Sequence, residues 1–267
     1  MQGLGFSIAG LVVGLAVGAT GVGGGSLMTP ILILFYGINP AMAVGTDLLY
    51  ASISKSFGVL LHGRNGSLDW RIVRWLAVGS VPATLLTLGL LSTIERGPHL
   101  DAVIKLTLSI AIIVTATFAL FQEQLLSVLR TESLGLLREW RERGQIQLTI
   151  ASGALIGALV TISSVGAGVI GMMLLLMLYP KHEPIRLVGS DLAHAVLITA
   201  IAGIGHIGLG TVDYSMLGYL LIGALPGIWL GSKLAFKLSP KLLKRLIAGF
   251  LVFIGTTMLA KAMASGH

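Results

Sequence analysis

The sequence has no cysteine in its 267 residues, which removes disulfide frameworks, thiolate metal sites and cysteine nucleophiles together. Charge is nearly as scarce. Asp, Glu, Lys and Arg make up 11% of the chain, against roughly a quarter in an ordinary soluble domain. Aromatic residues amount to 6%, and no closely spaced alternating segments accompany them, so a transmembrane β-barrel is excluded. What is abundant is apolar: 55% hydrophobic residues, 36 glycines and a mean hydropathy of +0.92. Such a composition also excludes a disordered chain. The chain reads as an all-α integral membrane protein. At roughly 25 residues per span and connection, it holds about eight to ten hydrophobic segments and little else. Met1 to Phe6 carries no basic cluster, so the first apolar run reads as a retained membrane segment and not a cleaved signal.

Apolar segments are expected at 4–20, 25–37, 42–62, 72–92, 102–121, 148–163, 168–180, 187–207, 215–232 and 246–263. The polar stretch 122–147 mixes leucines with four arginines and four glutamates at helical spacing. It is predicted to be a cytoplasmic amphipathic linker between a first membrane repeat, 1–121, and a second, 148–267. Fourteen of the 18 basic residues lie in this linker or follow segments three, seven and nine, which alternate crossing puts on one side. The loops at 38–41, 93–101 and 208–214 hold a single arginine, Arg96. The positive-inside rule then sets the basic loops in the cytoplasm and both termini outside. Topology and anionic lipid account for the net charge of +7, with no nucleic-acid partner.

Sliding the chain by 144 residues aligns Val44-Gly45-Thr46-Asp47-Leu48 with Val188-Gly189-Ser190-Asp191-Leu192 and holds without a gap for 39 positions, with eleven identities. His62 meets His206, Asp69 meets Asp213, Gly79 meets Gly223 and Pro82 meets Pro226. A shift of 143 aligns Gly10, Gly14, Val22, Gly23 and Gly25 with Gly153, Gly157, Val165, Gly166 and Gly168. Five segments per half is an odd number, so the second repeat enters the membrane inverted. Two inverted five-segment repeats are characteristic of secondary transporters and occur in some channels.

Each half has a glycine-rich break, Thr20-Gly21-Val22-Gly23-Gly24-Gly25-Ser26 and Ser163-Ser164-Val165-Gly166-Ala167-Gly168. Each flanking pair is either two tilted spans or a re-entrant hairpin. Irregular backbone at membrane depth belongs inside protein or beside a watery cavity, and a helix restarting there aims free N–H groups at an anion. The candidate substrate ligands are Thr20, Gly23, Gly24, Gly25, Ser26, Ser163, Ser164, Gly166 and Gly168, with Lys55. The competing reading is close helix packing by small residues. No lysine follows the glycines and no strand precedes them, so they form no nucleotide loop.

Asp47 and Asp191 lie a turn inside segments three and eight, where burial disfavours a charged group and marks a functional candidate. They are the candidates for ion coupling, or else they brace helix ends. Lys55 either supplies charge to an anion or snorkels to the cytoplasm. Eight residues along a helix sets it about 12 Å from Asp47 along the axis. Asp69 and Asp213 read as helix caps. The histidines lack the convergence that a metal requires, and no cofactor is expected.

Together these stretches resemble the TauE/SafE family of sulfite and organosulfonate exporters. The likeness rests on Gly21 to Gly25 with Thr29-Pro30, Ala43 to Leu48, His62 to Trp70, Ser164 to Gly168 and Val188 to Leu192. It implies a transporter of the bacterial inner membrane with a small sulfur oxyanion and the lipid bilayer as partners. The expected function is alternating-access transport of sulfite or a small organosulfonate, with no enzymatic activity; assembly into a homo-oligomer stays open. A passive anion channel is the alternative. An intramembrane aspartyl protease would need Asp47 and Asp191 at hydrogen-bond distance, and neither has the Gly-x-Gly-Asp context.

Overall fold

Long apolar segments propagate as helix because a helix satisfies its backbone polar groups internally, and interior glycines and prolines are tolerated there. The computed structural model describes residues 2–20, 25–62, 68–94, 97–130 and 135–234, and near the C-terminus 249, 252, 253 and 255–257. Regular structure among these residues is helical: α1 (Gln2–Thr20), α2 (Gly25–Tyr36), α3 (Pro40–His62), α4 (Trp70–Thr93), α5 (Pro98–Arg130), α6 (Gly135–Ser163), α7 (Val169–Leu178), α8 (Pro184–Gly208) and α9 (Tyr214–Leu234). Nine of the expected segments thus have a helix. The tenth, 246–263, lies mostly outside the described residues. Five stretches are long and apolar enough to cross a membrane: Trp70–Thr93, Leu100–Thr117, Gly144–Ser163, Ile185–Gly208 and Tyr214–Leu234.

The largest difference from expectation is around the linker. Helix α5 runs nine residues past the expected segment end at 121, because no glycine or proline follows Pro98 before Gly135 and the sequence there favours helix. Beyond residues 131–134, which lie outside the described set, α6 begins early and departs from helical geometry at Gly144 (φ −123°). The predicted caps are present. Asp69 accepts the N–H groups of Arg71 and Ile72, and Asp213 accepts that of Met216.

Helices α2 and α7 have twelve and ten residues. At 1.5 Å per residue they reach about 18 and 15 Å, well short of a hydrocarbon core of about 30 Å. Each brings the chain back along the preceding helix, α2 to the start of α1 and α7 to the part of α6 just past Gly144. Tyr36 donates its hydroxyl to the Gly5 carbonyl at 2.7 Å and its ring lies 5.0 Å from that of Phe6. In the second half Gln145 donates to the Leu178 carbonyl, and Thr149 meets the Tyr179 hydroxyl, both at 2.8 Å.

Two glycine-lined interfaces hold the bundle. A Cβ added at Gly10, Gly14 or Gly18 of α1 would overlap the backbone of Leu220, Ala224 or Ile228 in α9. One added at Gly153 or Gly157 of α6 would overlap that of Leu76 or Ser80 in α4. Such close approach is how helices associate where lipid supplies no hydrophobic drive. The two interfaces obey the sequence registers: Gly14 with Ala224 becomes Gly157 with Ser80 under shifts of 143 and 144. Between these pairs α3 packs on α8.

Candidate site at the crossing of α3 and α8

The Gly-Thr/Ser-Asp motifs divide their labour. Their hydroxyls face the opposite half: the Asp213 N–H donates to Thr46 Oγ1 at 3.0 Å, and the Asp69 N–H donates to Ser190 Oγ at 2.9 Å. These braces lie at opposite ends of the bundle. Asn39 and Asp101 bond at 2.6 Å near the first, and His182 lies 4.0 Å from Asp69 at the second. The aspartates turn inward. Asp47 is fully buried and its Oδ2 accepts both the N–H and the hydroxyl of Thr29 in α2. Asp191 is buried against Gly171 of α7, where any side chain would strike its Oδ1.

Lys55 does not snorkel. Only 1% of its surface is exposed, and its Nζ donates to the carbonyl of Ala167, inside the second break, at 2.8 Å. Its ammonium acts on Asp191 and Asp47 without a direct ion pair to either. An ammonium has three donors, and one bond to a carbonyl leaves it short.

The second break explains how that carbonyl reaches the site. Ser164, Gly166 and Gly168 have φ of 58°, 116° and 129°, so α6 ends and α7 restarts through a turn that L-residues rarely adopt. Gly168 caps α7 with no side-chain hydrogen bond; the Gly171 N–H donates to the Gly166 carbonyl at 3.1 Å, which leaves those of Val169 and Ile170 as the first-turn donors at the break. The two serines separate. Ser163 is committed to the turn, donating to the Leu159 carbonyl and accepting the Val165 N–H, so its hydroxyl is structural. Ser164 is buried with its hydroxyl near enough to Asp47 to act on the carboxyl but in no completed hydrogen bond.

In the first break, Gly23 and Gly24 lie outside the described residues, as do the side chains of Thr20 and Ser26. Thr20 ends α1 and Gly25 begins α2.

Seven buried side-chain polar atoms of the described residues have no hydrogen-bond partner, and five belong to this crossing: Asp47 Oδ1, Tyr50 Oη, Ser164 Oγ, Asp191 Oδ1 and His194 Nδ1. Unpaired groups are costly inside protein, so their concentration makes this crossing the candidate site. Tyr50 and His194 are candidate site residues that sequence reasoning did not select. They are repeat mates, each three residues beyond its aspartate and hence on the same helix face. His194 Nε2 is held by Ser80 Oγ at 2.8 Å.

His206 is settled differently. Its Nε2 donates to the Thr161 carbonyl at 3.0 Å and its Nδ1 meets Thr211 Oγ1 at 2.8 Å. It borders a cavity of about 400 Å³ at the bundle end marked by Thr46 and Asp213, lined also by Ala41, Leu91, Leu100 and Thr211. Among the described residues no three His, Asp or Glu side chains converge as a metal ion would need.

A multi-pass helical bundle with buried, unpaired charge where its two related halves meet has the form of a membrane transporter. The chain belongs to the TauE/SafE family: the family model described as "Sulfite exporter TauE/SafE" matches residues 6–258. Among its relatives is "Probable membrane transporter protein YjnA" of Bacillus subtilis, 36% identical over 251 residues, covering 94% of this chain and 97% of that one. Another is "Probable membrane transporter protein YdhB" of the same organism, 28% identical, covering 86% and 89%. A "Probable membrane transporter protein" of Xylella fastidiosa is 25% identical, covering 95% and 94%. No solved structure matches the chain at a significant level.

Proposed function

We propose that this protein is a secondary transporter of a small sulfur oxyanion, sulfite or a small organosulfonate, in the bacterial inner membrane. The observation that carries the reading is Lys55, a buried cation with spare donors beside a glycine-broken helix start. A tetrahedral or pyramidal oxyanion would take the Lys55 ammonium, the Ser164 hydroxyl and backbone N–H groups around Gly166 and Gly168. The equivalent glycines 23–25, with Thr20 and Ser26, would supply the other wall. Helix starts favour such anions through their free N–H groups and dipole.

Alternating access by two inverted repeats is supported by the braces. Thr46–Asp213 and Ser190–Asp69 are the same contact at opposite ends, so opening one while keeping the other would expose the site to one side at a time. The end carrying Arg71, Arg74, Lys181 and Arg186 is the cytoplasmic one by the positive-inside rule, with both termini periplasmic.

Uptake of radiolabelled sulfite into proteoliposomes tests the reading, with empty vesicles and Lys55→Met as controls and sulfate, thiosulfate and taurine as competitors. Saturable uptake that Lys55→Met abolishes is expected. Protein-dependent flux without saturation would instead identify a passive channel, and no uptake under any ion gradient would overturn the sulfite assignment.

A further inference from the structure

Tyr50 and His194 have no part in the anion cradle, yet each keeps a buried atom unbonded, one on α3 and one on the α8 it packs against. The charge around them is countable. Helix α3 supplies Asp47, Tyr50 and Lys55, and α8 supplies Asp191 and His194; α2, α4 and the second break add only the hydroxyls of Thr29, Ser80 and Ser164. No charged group elsewhere among the described residues acts on these five side chains.

With both carboxylates ionised and the histidine neutral, the empty site carries one net negative charge. A bound monoanion makes that two, and a dianion three. Uncompensated charge away from water costs several kcal/mol per ion, so an anion cannot be held there unless a carboxylate is first neutralised. Tyr50 and His194 lie one helical turn from Asp47 and Asp191 on the same faces of α3 and α8, each with an unpartnered buried atom, and Asp47 acts on the phenol and Lys55 on the imidazole. A phenol and an imidazole each both accept and donate protons.

We propose that each anion enters with one proton carried by the Asp47 and Asp191 pair, and that Tyr50 and His194 hand it on and off these carboxylates. In the transfer an O–H or N–H bond of the relay breaks as an O–H bond forms on the carboxylate, and the relay atom is reprotonated from the open side. No electrons move. The loaded site then holds a neutral carboxyl, one carboxylate, the ammonium and the anion. The inference deepens the anion-transport reading and rests on it.

The test uses proteoliposomes of the full chain, radiolabelled sulfite and a membrane potential clamped at zero. Accumulation is driven by a pH gradient of one unit, acid outside, or by a sodium gradient, and sulfite exchange is measured at equal pH. One proton per anion yields about tenfold accumulation per pH unit, the ratio equivalent to about 1.4 kcal/mol. Sulfite is itself a weak base, so carriage of bisulfite would also follow the pH gradient, and variants separate the two. Asp47→Asn and Asp191→Asn are expected to keep exchange and lose the accumulation; Tyr50→Phe and His194→Gln slow gradient-driven uptake more than exchange. Full accumulation in both Asn variants overturns the proposal, as does accumulation driven by sodium alone. Loss of exchange together with accumulation, in variants that elute like the unaltered protein, also overturns it by placing these groups on the anion. Absence of sulfite uptake by the unaltered protein would instead remove the transport reading itself.

Discussion

Replacing Gly157 by alanine should destabilise the bundle, while the same change at Gly89 should not. A Cβ at Gly157 would stand 2.6 Å from the Ser80 carbonyl oxygen and 2.9 Å from the Ser80 Cα. Both neighbours are backbone, which cannot rotate aside, so α4 and α6 must part along their whole contact. Thr84 and Thr161 also donate to the Gly157 carbonyl, at 3.4 and 2.7 Å, and move with it. Overpacking of this kind costs about 1–3 kcal/mol. Alanine in place of glycine in a helix returns about 0.5–1 kcal/mol, which leaves a net loss of up to about 2.5 kcal/mol. Gly89 lies in α4 with nothing within 4 Å of an added Cβ, so there only the helix gain of about 0.5–1 kcal/mol operates. Reversible denaturant unfolding of both variants in mixed micelles would measure the two signs. If Gly157→Ala proved as stable as the unaltered protein, the close backbone approach would not be what holds α4 to α6.

Two further predictions use single positions. Asp69→Ala removes a cap that accepts two N–H groups and should cost about 1 kcal/mol in the same unfolding assay, with Asp69→Asn retaining most of the stability. Because the chain has no cysteine, introduced thiols label without background. Exposed Lys181→Cys should react with an impermeant maleimide only in opened cells and exposed Ser215→Cys in intact ones; labelling of both from the same side would refute the topology.

The membrane class, the segments up to 234 and the helix caps were legible because apolar length, charge and cap chemistry are local properties. The repeat was legible because Asp, His, Gly and Pro are rare enough at membrane depth to betray a register. Other features depend on where the chain goes. Two tilted spans and a returning hairpin leave the same parity, and Tyr36 reaching Gly5 and Gln145 reaching Leu178 fit both, since either arrangement brings α2 and α7 back. Ser163 and Ser164 look alike in sequence. They differ because one hydroxyl is spent on the turn and its neighbour, at φ 58°, points at Asp47. Tyr50 and His194 gave no composition signal, since a lone polar residue in an apolar helix usually packs. Their meaning lies in a missing partner, which exists only in three dimensions.

The two halves are alike in scaffold and unlike in charge. The glycine interfaces, the braces and the aspartates occur twice, whereas Lys55 occurs once: its repeat mate is Thr199, a buried hydroxyl that donates to the Ala195 carbonyl. Degenerate scaffold contacts suit exchange of conformations, because what one half gives up the other regains. A single central charge ties anion binding to neutralisation of a carboxylate, whereas two ammonium groups would balance both carboxylates and hold an anion without that step. The register then predicts that the cation can change sides. In Lys55→Thr with Thr199→Lys the new ammonium should face Asp47 as the native one faces Asp191, and sulfite uptake should return in part relative to Lys55→Thr alone. The variant with Thr199→Lys added to native Lys55 should hold the anion without releasing it, so binding persists while turnover falls. If the swapped protein folds and binds no sulfite, the halves are not interchangeable at the site and the central charge acts through the second break alone.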